Sequence, residues 1–169
     1  MTQEEKQLLL KDLAARVPYG LMIDFYCNES RRKSHFATNL IGIEVDDAII
    51  RDVENNGARI RIDMFCKDCN IKPYLRPLSS MSGDEIYSVA GIVIPGLPHN
   101  IDETKGTCSV CCNNYTDEIE QDFSVRDLAN GIYGIEGLDW LNEHHFDYRC
   151  LIKKGLALEA PKGMYTKNE

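Results

Sequence analysis

A chain of 169 residues, 43% hydrophobic and 27% charged, is long enough for one domain with a real core and too short for two comfortable ones. Its composition also excludes the apolar-poor class that stays disordered. A formal charge of -8 and a pI near 5.0 exclude a generic phosphate-binding surface, which needs clustered Lys and Arg, so no nucleic-acid partner is expected. Acidity of this size keeps a cytosolic protein soluble; in a sharper version it meets a basic protein face, as a DNA-mimic inhibitor does.

The N-terminus, MTQEEKQLLLKDLAARVPYG, lacks a basic segment followed by an apolar stretch, and no run approaches the roughly 20 apolar residues of a membrane span. A cytoplasmic protein with no membrane partner is the expectation. Thr2 followed by Glu5 is a capping-box spacing, and Leu9, Leu10, Leu13 and Val17 form an apolar stripe, which predicts a helix over 3–16. Pro18 and Gly20 stop it. Leu21, Ile23, Phe25 and Cys27 then alternate with Met22, Asp24 and Tyr26 as in a half-buried strand, before a polar loop over 28–33.

Extended structure is predicted again over 36–45. Ile49, Ile50 and Val53 lead into Asn55-Asn56-Gly57, with Ile60, Ile62 and Met64 beyond, which reads as a hairpin in one antiparallel sheet with the strand at 21–27. In IKPYLRPLSSMSGDE, Pro73 and Pro77 speak against a helix or a central strand, so an ordered crossover is expected. Ser82 and Glu85 repeat the capping-box spacing, predicting a short helix to about residue 90, followed by loop over 96–107. In the last third, Ile119, Phe123, Leu128 and Ile132, then Leu138, Trp140 and Leu141, predict two short helices, with a further one over 148–158. The domain is taken to span 1–160, with a frayed tail over 161–169.

Seven cysteines without a secretion signal argue for thiols or metal in place of disulfides. Cys66-Lys67-Asp68-Cys69 and Cys108-Ser109-Val110-Cys111 are two CxxC pairs, and a tight turn at each would bring four thiolates onto one structural zinc ion. Such a site is closed to water, so its role would be architectural. A redox reading of either CxxC lacks the expected helix N-terminus beside a parallel strand. His144 and His145, with Glu143, Asp147 and Trp140 nearby, are the only neighbourhood that suggests acid-base chemistry; adjacent histidines on a helix diverge by about 100°, which favours one packed and one solvated ring. No phosphate-cradling loop, HExxH or GxSxG is present, so no catalytic residue is assigned.

Three stretches, EEKQLLLKDLAARVPYGLMID, IKPYLRPLSSMSGDE and DWLNEHHFDYRCLIKKGLALEAPKGMY, resemble a family of small uncharacterised proteins of gut anaerobic bacteria and of the phages and prophages of those hosts. The resemblance covers about half of the chain and brings no activity or cofactor with it. It implies a mobile-element setting in which the partner belongs to host machinery, defence included. The chain departs from the family pattern at CKDCN and at Cys150, where Gly is expected after FDYR.

Together these readings predict an α+β fold: a small curved antiparallel sheet, or a partly open barrel, flanked by N-terminal and C-terminal helices. The expected function is a non-enzymatic protein-binding module. The alternative is a small zinc-stabilised protein in which Cys66, Cys69, Cys108 and Cys111 form a knuckle presenting a recognition loop.

Overall fold

A computed structural model describes residues 1–29, 32–44, 51–52, 57–61, 69–114 and 117–165. The chain is α+β, and its contacts fall into two compact units where one domain through residue 160 was expected: unit 1 holds 1–75 and 150–169, unit 2 holds 76–149. Among the described residues, no helix is long and apolar enough to cross a membrane.

Unit 1 opens with α1, Gln3–Arg16, whose capping box forms as the sequence predicts: the Thr2 hydroxyl accepts from Glu5 N–H at 3.1 Å and the Glu5 carboxylate accepts from Thr2 N–H at 2.6 Å. The apolar stripe puts Leu9 and Leu13 into a core with Leu21, Ile23 and Phe25, joined by Leu40, Ile71, Leu75, Leu151, Leu156 and Ala157. Each fully buried leucine there contributes about 1.5–3 kcal/mol relative to exposure. The same helix face also buries Asp12 and Arg16 completely, joined by two hydrogen bonds of 2.9 and 3.1 Å. A charged pair on a stripe read only for its leucines escapes an apolar periodicity search.

The sheet beneath α1 contains β1 (Met22–Glu29), β2 (Arg32–Glu44), β3 (Arg51–Asp52), β4 (Gly57–Arg61), β5 (Cys69–Leu75) and β9 (Leu158–Glu159), in the order β3-β4-β2-β1-β5-β9. It is open, not a barrel, and mixed where an antiparallel sheet was predicted, because β4 runs parallel to β2 and β9 parallel to β5. β3 pairs antiparallel with β4, with Gly57 inside β4 opposite Asp52, while Asn55 and Asn56 of the predicted turn, like Ile49, Ile50, Val53, Ile62 and Met64, lie outside the described residues. The loop expected over 28–33 is instead largely strand: β1 and β2 pair through to Glu29 and Arg32.

The predicted crossover is the larger correction, since Pro73 sits inside β5, opposite Ile23 of β1. The next step of that ladder explains it. Met22 N–H and Tyr74 C=O face each other, so the backbone of Pro73 faces away from β1, on the side where Leu75 C=O accepts from Ala160 N–H at 2.8 Å. The missing N–H is therefore not missed by the β1–β5 ladder. Between Met22 and Tyr74 the Tyr165 hydroxyl is inserted, accepting from Met22 N–H at 3.1 Å and donating to Tyr74 C=O at 2.7 Å. Burial raises the Tyr165 pKa, the Met22 hydrogen bond opposing it. Tyr165 belongs to the segment expected to fray, and it completes a rung of the sheet. The helix predicted over 148–158 is a run of turns ending in β9.

Unit 2 begins with a 3-10 turn over Leu78–Ser80 and α2, Gly83–Val93, capped by the predicted Ser82–Glu85 box. Three strands follow, where loop and helix were predicted: β6 (Leu97–Asp102), β7 (Thr107–Asn114) and β8 (Asp117–Ser124), an antiparallel meander in the order β6-β7-β8. Two short helices, α3 (Val125–Ala129) and α4 (Gly134–Glu143), complete it. Cys108, Val110 and Phe123 from the sheet pack with Ile86, Val89 and Ala90 of α2, Leu128 of α3 and Trp140 and Leu141 of α4. The core thus lies on one side of the sheet, and Ile119 and Phe123, read as helical, belong to β8.

Candidate functional site

Of the four proposed zinc ligands, Cys66 lies outside the described residues and Cys69 opens β5 of unit 1. Cys108 and Cys111 lie on β7 of unit 2, three residues apart along one strand and so on opposite faces. Cys108 is buried in the core, where desolvation and then the Asp122 charge push its thiol pKa up; Cys111 is half-buried on the other face. A CxxC on a strand separates its sulfurs, whereas chelation requires a turn. Among the described residues no group of three or more His, Cys, Asp or Glu side chains is placed to hold a metal ion.

The histidine neighbourhood forms a packing spine in unit 2. The His144 ring stacks on Trp140, the chain's one tryptophan, at 3.9 Å, and its Nδ1 lies 2.9 Å from the Trp140 carbonyl oxygen. Trp140 in turn lies parallel to Phe146 at 5.7 Å, and the Arg76 guanidinium covers the other ring at 4.2 Å. His145 is buried with a positive φ of 58°, as expected for the packed ring, whereas His144, expected in solvent, is half-buried against Trp140. Arg76 also grips Glu85 through two hydrogen bonds of 2.6 and 2.9 Å. Burial alone would raise the Glu85 pKa, but the Arg76 and Ser82 hydrogen bonds and the Arg76 charge outweigh it and the net pKa is lowered. The aromatic and charged groups here hold each other in place.

Among the described residues of unit 2, no helix packs on the other face of the β6–β7–β8 sheet. Register places Leu97, Cys111 and Glu120 in one row across it and His99, Ser109 and Asp122 in the next. His99 Nε2 reaches across to the Glu120 carboxylate at 3.1 Å, and the Ser109 hydroxyl lies 3.3 Å from Asp122. None of the three strands, LPHNID, TCSVCCNN and DEIEQDFS, carries a Lys or Arg, against five Asp and Glu. At the turn after β6, hydrogen bonds from Thr104 and Lys105 lower the Asp102 pKa to about 2. The outer edge of β8 is closed at one end, where the Tyr133 hydroxyl accepts from Ser124 N–H at 3.3 Å and donates to Asp122 C=O at 3.4 Å.

Unit 2 also exposes large apolar side chains that the sequence reading did not single out. Ile135 is 68% exposed, Ile132 65%, Leu97 64% and Ile92 56%, far above what a core residue of that type shows. Three of them share one end of the α2/α4 pair: Ile92 precedes Val93, whose side chain lies against Gly137 of α4, and Ile132 and Ile135 flank the start of that helix. Ile132 belongs to the spacing that predicts a helix, and nothing in that spacing separates a solvent-facing isoleucine from a buried one. Unit 2 further holds 13 of the chain's 27 acidic residues but only 4 of its 19 Lys and Arg, a net of -9, leaving unit 1 with 14 acidic against 15 basic.

No family model, curated protein or solved structure matches this chain.

Proposed function

We propose that the protein is a non-enzymatic protein-binding module and that unit 2 carries the contact. The observation behind this reading is the set of exposed Ile92, Leu97, Ile132 and Ile135 in one small unit. Isolated exposed apolar residues need no explanation, but three gathered at one end of a helix pair form the kind of patch that a partner covers. In the neighbourhood that suggested catalysis, the His144 ring is stacked on Trp140 with its Nδ1 at the Trp140 carbonyl oxygen, and His145 is buried. The family resemblance supplies the setting, a bacterial host whose machinery or defence provides the partner.

The test is affinity capture from bacterial lysate with the wild-type chain and with Ile132→Glu combined with Ile135→Glu, Trp140 fluorescence confirming that the variant is folded. A partner retained by the wild type and lost by the folded variant is expected. A wild-type chain that emerges alone from repeated captures, or a partner indifferent to both substitutions, would overturn the assignment.

A further inference from the structure

We infer that the face of the β6–β7–β8 sheet opposite the unit 2 core is a docking surface for a Lys/Arg-rich segment of a partner protein; this rests on the protein-binding reading and specifies the partner's chemistry. Among the described residues of unit 2 nothing packs on this face, because the helices and the core side chains Cys108, Val110 and Phe123 lie on the opposite side. Its carboxylates have no lysine or arginine beside them on the three strands. Glu120 and Asp122 are exposed and two residues apart on the same face of β8, with the His99 ring nitrogen 3.1 Å from the Glu120 carboxylate. Like charges so placed repel, and no lysine or arginine on the neighbouring strands relieves them.

A basic segment laid across the strands would supply the missing countercharges to Glu120 and Asp122, while its aliphatic stems rest on Leu97 and Cys111 in the adjoining row. The net of -9 on unit 2 enlarges the effect by drawing a basic partner in from a distance and fixing its orientation. Nucleic acid is repelled by the same field. A second copy of unit 2 would oppose carboxylate to carboxylate. No trio of ligands is placed to hold a metal ion among the described residues, so a cation is not the occupant the geometry selects.

The experiment uses the full chain and a fluorescein-labelled synthetic peptide alternating Lys and Val, with a Glu-Val peptide as control, read by fluorescence anisotropy at low and moderate salt. Wild type is expected to bind the Lys peptide and not the Glu peptide. Neutralising the face with Glu120→Gln and Asp122→Asn should raise Kd about tenfold, the order expected from losing two cross-strand charge pairs. Neutralising the exposed Asp84 and Glu143 on the helices, Asp84→Asn with Glu143→Gln, changes the net charge equally and should raise Kd about twofold or less. Equal weakening by the two pairs would reduce the effect to net charge and overturn the site, as would failure of the Lys peptide to bind. A natural partner that depends on Ile132 and Ile135 but is indifferent to the Glu120 and Asp122 changes would also overturn it, while leaving the protein-binding reading intact.

Discussion

Unit 1 balances its charge and unit 2 does not. In unit 1, Asp12 and Arg16 are sealed under α1, and Asp and Glu balance Lys and Arg to within one charge; in unit 2, acid outnumbers base by about three to one and isoleucines stand in solvent. Among the described residues of unit 1 the exposed large apolar side chains are only Met1 and Tyr26. Among the described residues, both the uncompensated charge and most of the exposed apolar side chains fall in unit 2, where the proposed contact lies.

The most severe way to break this contrast is to expose the hidden charge of unit 1. Asp12→Ala removes the carboxylate paired with the buried Arg16, and the loss should be about 3–5 kcal/mol, measured by hydrogen exchange of the β1 amides; Asp12→Leu with Arg16→Met should recover most of it. In unit 2 the corresponding pair is only partly buried, so Glu85→Gln should cost less, about 1.5–3 kcal/mol, in a denaturant titration followed by Trp140. Because the folded Glu85 pKa is lowered, its contribution is complete above the ordinary 4.5 and is lost as pH falls through the folded value. Wild type and Glu85→Gln should therefore converge in acid. Divergence there would mean that the carboxylate charge is not what Arg76 holds.

The two tyrosine hydroxyls give a finer comparison. Tyr165→Phe leaves Met22 N–H and Tyr74 C=O unserved and should cost about 1–3 kcal/mol, whereas Tyr133→Phe removes longer bonds at an accessible edge and should cost about 1 kcal/mol or less. The folded Tyr165 pKa is raised, so its contribution is full below the unfolded value of about 10 and is lost as pH climbs toward the folded one. Equal losses for the two variants would place the Tyr165 rung no deeper than the Tyr133 cap. The smallest effect is a gain. Cys150 is exposed and carries a φ of 57°, so Cys150→Gly should stabilise by about 0.5–1 kcal/mol, read as a raised Tm.

Glycine is the residue that the positive φ at position 150 accommodates most readily. The capping boxes of α1 and α2 were legible in the sequence, because Thr2–Glu5 and Ser82–Glu85 are local arrangements that need no knowledge of the fold. The strands of unit 2 were not. Ile119 and Phe123 are four apart, a spacing that lies on one face of a helix and equally on one face of a strand, and the polar β6 and β7 offer too few apolar residues to break the tie. Pro73 misled for a related reason, since only the β1 register shows which way its absent N–H points. The candidate surface was visible as overall acidity, but its concentration in one unit depends on knowing that residues 76 and 149 bound that unit.

Those two boundaries nearly meet. Arg76 N–H donates to His145 C=O at 2.8 Å, and Asp147 N–H donates to Arg76 C=O at 2.7 Å, beside the bridge from Arg76 to Phe146. The excursion from 76 to 149 therefore starts and finishes at almost one point in space, pinned by its own backbone, so the entropy of closing so long a loop is met within the excursion itself. A segment closed on itself in this way can vary in sequence without re-registering the β1–β5 ladder, because its ends are held by bonds of its own.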